Sequence, residues 1–349
     1  ASAKTSAKQT LLMQAHLKIG EDFSLGTPEA PLREPLGLGS TLHPFGGSVD
    51  GNGKTVAMYV SMEDASCDIS SFVGVLDDNA SGEIKDLTLV GALSYRENSQ
   101  FHMSYVPMTT LVRDVPQGYV IRGCASRVSI SYENDGSSLG SGTLFAGGLA
   151  RYAYGEMENC TNEGDITVTE KSGYYATVFA GGICADAYNV LTGCKNTADI
   201  TLKANSAYGG GIAGRLNAGS AVDGCTNEGS VSVASEVACY VGGIAGATNG
   251  ANEIALTDCV NSGAVDAYSA NNASSAGGIV GNLYLGNTGK GLTNSGDIYA
   301  GSDASSARAG GIAAVVSMSS ATAAAQEELL DTANSGTITA KSYNSSYVG

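Results

Sequence analysis

The chain has 349 residues, a formal net charge of −16, only 15% charged side chains, and 48 glycines against 6 prolines. Such an excess of negative charge makes nucleic acid and anionic lipid surfaces poor partners. No run of about 18 apolar residues exists to cross a membrane as a helix.

In chain order, Ala15, Leu17 and Ile19 alternate with polar residues and predict a first strand. Pro28, Pro31 and Pro35 make 26–36 an extended loop, so residues 1–35 read as an N-terminal cap or lead-in segment. No signal peptide is visible in the opening Ala1-Ser2-Ala3-Lys4, which suits a mature, processed form. Residues 36–143 hold an entry hairpin and irregular first coils. The hairpin is expected at Asp50-Gly51-Asn52-Gly53, turn residues between short apolar segments. From 144 to 349 the sequence repeats. A glycine pair followed by Leu or Ile recurs at 147–149, 181–183, 210–212, 242–244, 277–279 and 310–312. Each is followed by an asparagine: Asn162, Asn196, Asn227, Asn261, Asn294 and Asn334. These stand 34, 31, 34, 33 and 40 positions apart.

That period means a solenoid, a propeller or a helical array. Helical stripes are missing. Short runs such as Asp165-Ile166-Thr167-Val168 and Ser230-Val231-Ser232-Val233 alternate with period two, as half-buried strands do. A propeller calls for about four strands per blade, and these units carry two or three. The expected fold is all-β: a right-handed parallel β-helix or β-solenoid of about seven to eight coils, with the common hand of parallel crossovers. Stacked coils share one core, and like residues then form ladders. One ladder holds Cys124, Cys160, Cys194, Cys225 and Cys259, continued by Leu87, Leu292 and Thr332. Because Leu and Thr are accepted there, the thiols read as buried and free rather than as disulfides or metal ligands. Two residues on, the asparagines form a second ladder in which each amide donates to the next. Glycine at Asn+2 (164, 229, 263, 296, 336) suits a corner of positive φ or close approach, and Ala198 in that row favours smallness. The last repeat carries an insertion, 321–333, whose Ala-Ala-Ala-Gln-Glu-Glu-Leu-Leu at 323–330 predicts a short helix or turn.

Pro44-Phe45-Gly46-Gly47 through Asp50-Gly51-Asn52-Gly53-Lys54-Thr55-Val56 resembles the entry segment of bacterial surface proteins carrying the GLUG motif. Phe72–Leu76 and Ile84–Leu89 resemble that group's G-L-F-G and I-x-N-L elements. The G-G-I-(A/V)-G and C-x-N-x-G turns are similar to repeats of large bacterial adhesin-like proteins. The resemblance spans roughly 36–349. It departs at Ser71 and Val73, where the motif has Gly and Phe, and at Leu89 and Ser126, which replace the ladder asparagine. It implies a secreted, cell-surface habit and leaves the ligand open.

Chemistry is sparse. Asp165, Asp199 and Asp297 could stack as an acidic row, but Ser230, Ala264 and Thr337 share the position, as on a solvated strand edge. The Asp50 loop lacks the closing glutamate of a calcium hand. Gly136-Ser137-Ser138-Leu139-Gly140 matches a nucleophile elbow in letters, yet both flanks read as loop. The suggestive feature is tyrosine: Tyr152, Tyr154, Tyr174, Tyr175, Tyr188, Tyr208, Tyr240, Tyr268, Tyr284 and Tyr299 fall in coil loops or flanks. They suit either a sugar- or protein-binding surface or the rim of the core. The expectation is a non-enzymatic extracellular surface protein serving as adhesin, stalk or filament subunit. It would need no catalytic residue, metal or cofactor. Head-to-tail self-association through the solenoid ends is the expected contact, and which host or matrix glycan or protein it meets stays open. The alternative is a carbohydrate-binding or polysaccharide-cleaving β-helix.

Overall fold

The computed structural model describes residues 14–33, 36–63, 71–97, 105–134, 142–171, 177–249, 254–284, 288–317 and 329–349. The described strands form a parallel β-solenoid of about eight turns, in which a 30-stranded and a 7-stranded sheet enclose one core. One regular turn shows the section. Ala150–Ala153 lies on the seven-stranded sheet; Glu156–Glu158, Thr161–Asn162, Ile166–Glu170 and Thr177–Gly181 follow on the larger one. The next turn then begins at Cys184–Ala187, in register on Ala150–Ala153. Period-two patterning does the sorting. Ile166 and Val168 point inward and are fully buried, while Thr167 faces water. Upward, Ile166, Ile200, Val231, Val265 and Ile298 stack in register. Ile183, Ile212, Ile244 and Ile279 follow the glycine pairs and fill the opposite side of the core.

The ladder positions stack in register as well. Asn162, Asn196, Asn227, Asn261, Asn294 and Asn334 pair turn on turn. The Nδ2 of each of the first five donates twice: Asn227 to Gly229 O at 2.7 Å and to Asn261 Oδ1 at 2.7 Å, with the same pair of bonds at Asn162, Asn196, Asn261 and Asn294. The first five are fully buried. The second glycine of each pair packs on this row. A Cβ added at Gly148 would stand 2.7 Å from Asn162 Cγ, and one at Gly182 2.5 Å from Asn196 Cγ. The Asn+2 glycines likewise reflect close approach: none has positive φ, and a Cβ there would strike the backbone of the turn below.

Positive φ sits elsewhere, one residue before the cysteine ladder. Asp86, Gly123, Asn159, Gly193, Gly224, Asp258, Gly291 and Asp331 all adopt it, at 50 to 66°. Only Gly, Asn and Asp visit this region readily. The cysteines beyond this corner are free and buried, and each Sγ–H donates to a carbonyl of the turn below, from Cys124 to Ile84 O at 3.6 Å through Cys259 to Val222 O at 3.4 Å. Cys67 lies outside the described residues.

One expectation needs correction. Asp50–Gly53 does not fold back as a hairpin. Asn52 and Gly53 take positive φ inside the continuous strand Ser48–Glu63, and the stretches on both sides pair parallel with Gly82–Glu97, with a register shift between Asp50 and Lys54. A parallel coil needs a bend at this corner, and the turn residues supply it. The helix expected at 323–330 falls mostly outside the described residues; its last two, Leu329–Leu330, are strand paired with Gly289 and Lys290. The lead-in adds parallel strands His16–Lys18 and Phe23–Leu25 to the first turn.

Asn227→Asp turns two buried donors into acceptors facing Gly229 O and Asn261 Oδ1. A loss on the order of 3 kcal/mol or more is expected in urea unfolding, against little change for Thr226→Ala; equal midpoints would rule out the ladder as a stabilising element. Burial pushes the Cys239 and Cys259 thiols from 9.0 up to about 12. Between those values the unfolded chain is ionised while the folded one keeps its proton, so this contribution to stability is whole below pH 9 and is lost toward pH 12. Cys259→Ala is expected to flatten that alkaline decline in thermal melts.

Candidate ligand-binding face

The face arises at the glycine-pair corner. Just before it, Leu144, Val178, Ala207 and Cys239 point inward, so the next residue points out: Phe145, Phe179, Tyr208 and Tyr240. Parallel register stacks these rings. Their centroids lie 5.5, 4.7 and 5.2 Å apart with interplanar angles of 15 to 27°, and Tyr105 adds a ring 6.2 Å below. Offset stacks of this kind contribute beyond their buried area.

Beyond the corner the chain doubles back, and the seven-stranded sheet presents its own outer face to the rings. Tyr152 meets Phe145 edge-on at 5.1 Å. The Arg215 guanidinium stands 4.1 Å from the Phe179 centroid, and Arg151 stands 4.2 Å from that of Tyr152, within cation–π range. Phe145 and Phe179 are therefore buried although they lie outside the coil's core. The result is an external trough with aromatic walls.

Two ion pairs close its lower part. Arg151 grips Asp114 with bonds of 2.7 and 2.6 Å, and Arg215 grips Asp186 with 2.8 and 2.6 Å. Asp186 is fully buried, and that burial raises its carboxyl pKa against the opposing pull of Arg215. Tyr154 and Tyr188 stack at 4.5 Å on the rim. Burial lifts the Tyr154 phenol to about 12, so it stays a donor at neutral pH.

Of the tyrosines singled out in the sequence, Tyr152, Tyr154, Tyr188, Tyr208 and Tyr240 share this trough. Tyr284 stands near Tyr240. Tyr174 and Tyr175 lie outside the described residues. Tyr268 and Tyr299 line a different cleft. Sequence reasoning passed over Phe145, Phe179, Arg151, Arg215, Asp114 and Asp186. The available signal was an aromatic two residues before the glycine pair in four consecutive turns; the ion pairs had none, since their partners stand about one repeat apart.

The acidic row has a structural use. Asp165, Asp199 and Asp297 accept the backbone N–H of the next turn, Asp199, Ser230 and Thr337, at 2.8 to 3.1 Å. Asp50 Oδ1 accepts from the Asn52 N–H at 2.8 Å within its own bend. The Gly136–Gly140 match lies outside the described residues. One carboxyl pair had no sequence signal: Tyr132 Oη lies 2.6 Å from Glu97 Oε2 and 3.0 Å from Glu170 Oε2, and all three residues are buried.

Arg215→Ala strands the Asp186 carboxylate in a buried site. A loss of about 3–5 kcal/mol is expected, and Asp186→Asn on that background should return much of it. Thermal melts of the parent, the single variant and the double variant check the pairing; an Arg215→Ala melt matching the parent would refute it.

No family model matches the chain, and no curated protein does. Among solved structures, the chain is similar to a Bacteroides ovatus protein named "putative immunoglobulin A1 protease", with a TM-score of 0.47 at 17% identity, over 99% of this chain and 82% of that one.

Proposed function

We propose that the chain is a non-enzymatic, extracellular β-solenoid displayed at a bacterial cell surface, where it serves as an adhesin, stalk or filament subunit. The observation that carries this reading is the constancy of the section. About eight turns stack on the same buried ladders, which at about 4.8 Å per turn makes a stiff rod roughly 40 Å long. The sequence resemblance to GLUG-type surface proteins supports the same reading. The rod's work is mechanical: it holds the aromatic trough at fixed spacing toward a host or matrix glycan or protein. Head-to-tail stacking is the self-association that suits it, because a strand edge is a template for another copy of the same section.

Beads coated with the chain should be retained on glycoprotein-rich matrix, and Tyr154→Ala with Tyr188→Ala should lower retention severalfold. Turnover of a polysaccharide or protein substrate by the purified chain would overturn the non-enzymatic reading. Light scattering should show mass rising with concentration; a constant monomer mass would remove the head-to-tail mode.

A further inference from the structure

A second aromatic cleft lies on the outer face of the last turns, away from the trough. Its volume is about 370 Å³, and Tyr268, Tyr299, Gly301, Asp303, Lys341 and Tyr343 line it. Register builds it. Tyr268, Gly301 and Lys341 occupy one outward column on three successive turns, and Tyr299 stands beside Gly301 on the middle one. Where other turns carry Thr169, Lys203 or Ala234 in that column, this turn has no side chain. The Tyr299 ring fills the vacancy by lying across the glycine: a Cβ on Gly301 would stand 2.8 Å from the Tyr299 hydroxyl and 2.9 Å from Cε1. An aromatic plate is thus laid nearly flush with the sheet, and its rim is polar. Tyr268 donates its phenol proton to Asp303, which fixes both groups beside the plate. Lys341 stands on the turn above, and Tyr343, 82% exposed, stands at the mouth.

A flat ring with a carboxylate, an ammonium and phenols around it matches a molecule with one apolar C–H face and hydroxyls at its edge. A pyranose is such a molecule. Aromatic plates of this kind offer apolar contact with a polar handle, and the cleft is open, so a ligand's second face would stay in water. Asp303 within the cleft and the net charge of −16 disfavour an acidic sugar.

We propose that this cleft binds one pyranose ring of a neutral glycan, stacked on Tyr299, with its hydroxyls held by Asp303 and Lys341. The site goes beyond the display role proposed above and does not depend on it, so its failure leaves that role standing.

The test is titration of the whole chain with the methyl glycosides of glucose, galactose, mannose and N-acetylglucosamine. Tyrosine fluorescence, undisturbed because the chain has no Trp, and saturation-transfer NMR are the readouts. At least one glycoside should bind with Kd near 1 mM, with the ring C–H protons saturating most strongly. Tyr299→Ala and Gly301→Val should each weaken binding tenfold or more, the second by displacing the plate. Asp303→Asn and Lys341→Ala, at exposed positions, should weaken it severalfold and guard against a folding artefact. Thr201→Ala, exposed on its strand and three turns below Tyr299, should leave it unchanged. No binding by any of the four up to about 50 mM, binding that survives Tyr299→Ala, or capture of a proline-rich peptide with no sugar would each overturn the proposal.

Discussion

A buried row of asparagine amides, each donating to the next and to its own corner carbonyl, packs against a stripe of glycines that leaves room for it. A buried amide is costly unless its donors and acceptor are matched. In this row one Nδ2 spends its two hydrogens on Gly229 O and Asn261 Oδ1, and its Oδ1 receives the bond from Asn196. That arithmetic works only when every turn lies in register with its neighbours. A one-residue slip would also turn every inward side chain outward. Register is therefore specified twice, once by polarity in the amide row and once by hydrophobicity in the isoleucine column.

The turn below the row shows the same space filled by other means. Ser126 stands in register where Asn162 stands one turn later, and Thr110 stands at the level of Gly148. Bulk has moved from one side of the contact to the other. The Thr110 hydroxyl, 3.0 Å from Ser126 Oγ, donates to Gly148 O. Asparagine with glycine and serine with threonine are alternative ways to fill one gap with its polar atoms satisfied. The glycine pairs are thus half of a contact whose other half lies 14 to 23 residues further on in sequence.

The outer trough follows from the same corner. Glycines let the chain reverse tightly enough for two outward faces to approach each other, and rings already stacked by register meet the arginines of the opposing sheet. A smooth rod would leave those rings in water. The sharp bend buries Phe145 and Phe179 outside the core and draws Asp186 inward with them, where Arg215 first, then Asn217 and Arg151, make its charge tolerable.

Much of this was legible in the letters. The period, the two-residue alternation and the cysteine and asparagine positions are local or strictly recurrent, so they determine an all-β coil and its register without coordinates. The corner at Asp50–Gly53 was misread as a hairpin because a turn residue reports a bend and not the direction in which the chain continues. The left-handed position before each cysteine was overlooked because Asp, Asn and Gly alternate there, and no one letter repeats. What only the tertiary structure decided is everything that joins one side of the coil to the other: the glycine stripe against the amides, the Arg151–Asp114 and Arg215–Asp186 pairs, and the Tyr299 ring laid over Gly301. Such contacts depend on how sharply the section folds back on itself. Periodicity counts residues along the chain and carries no measure of that angle.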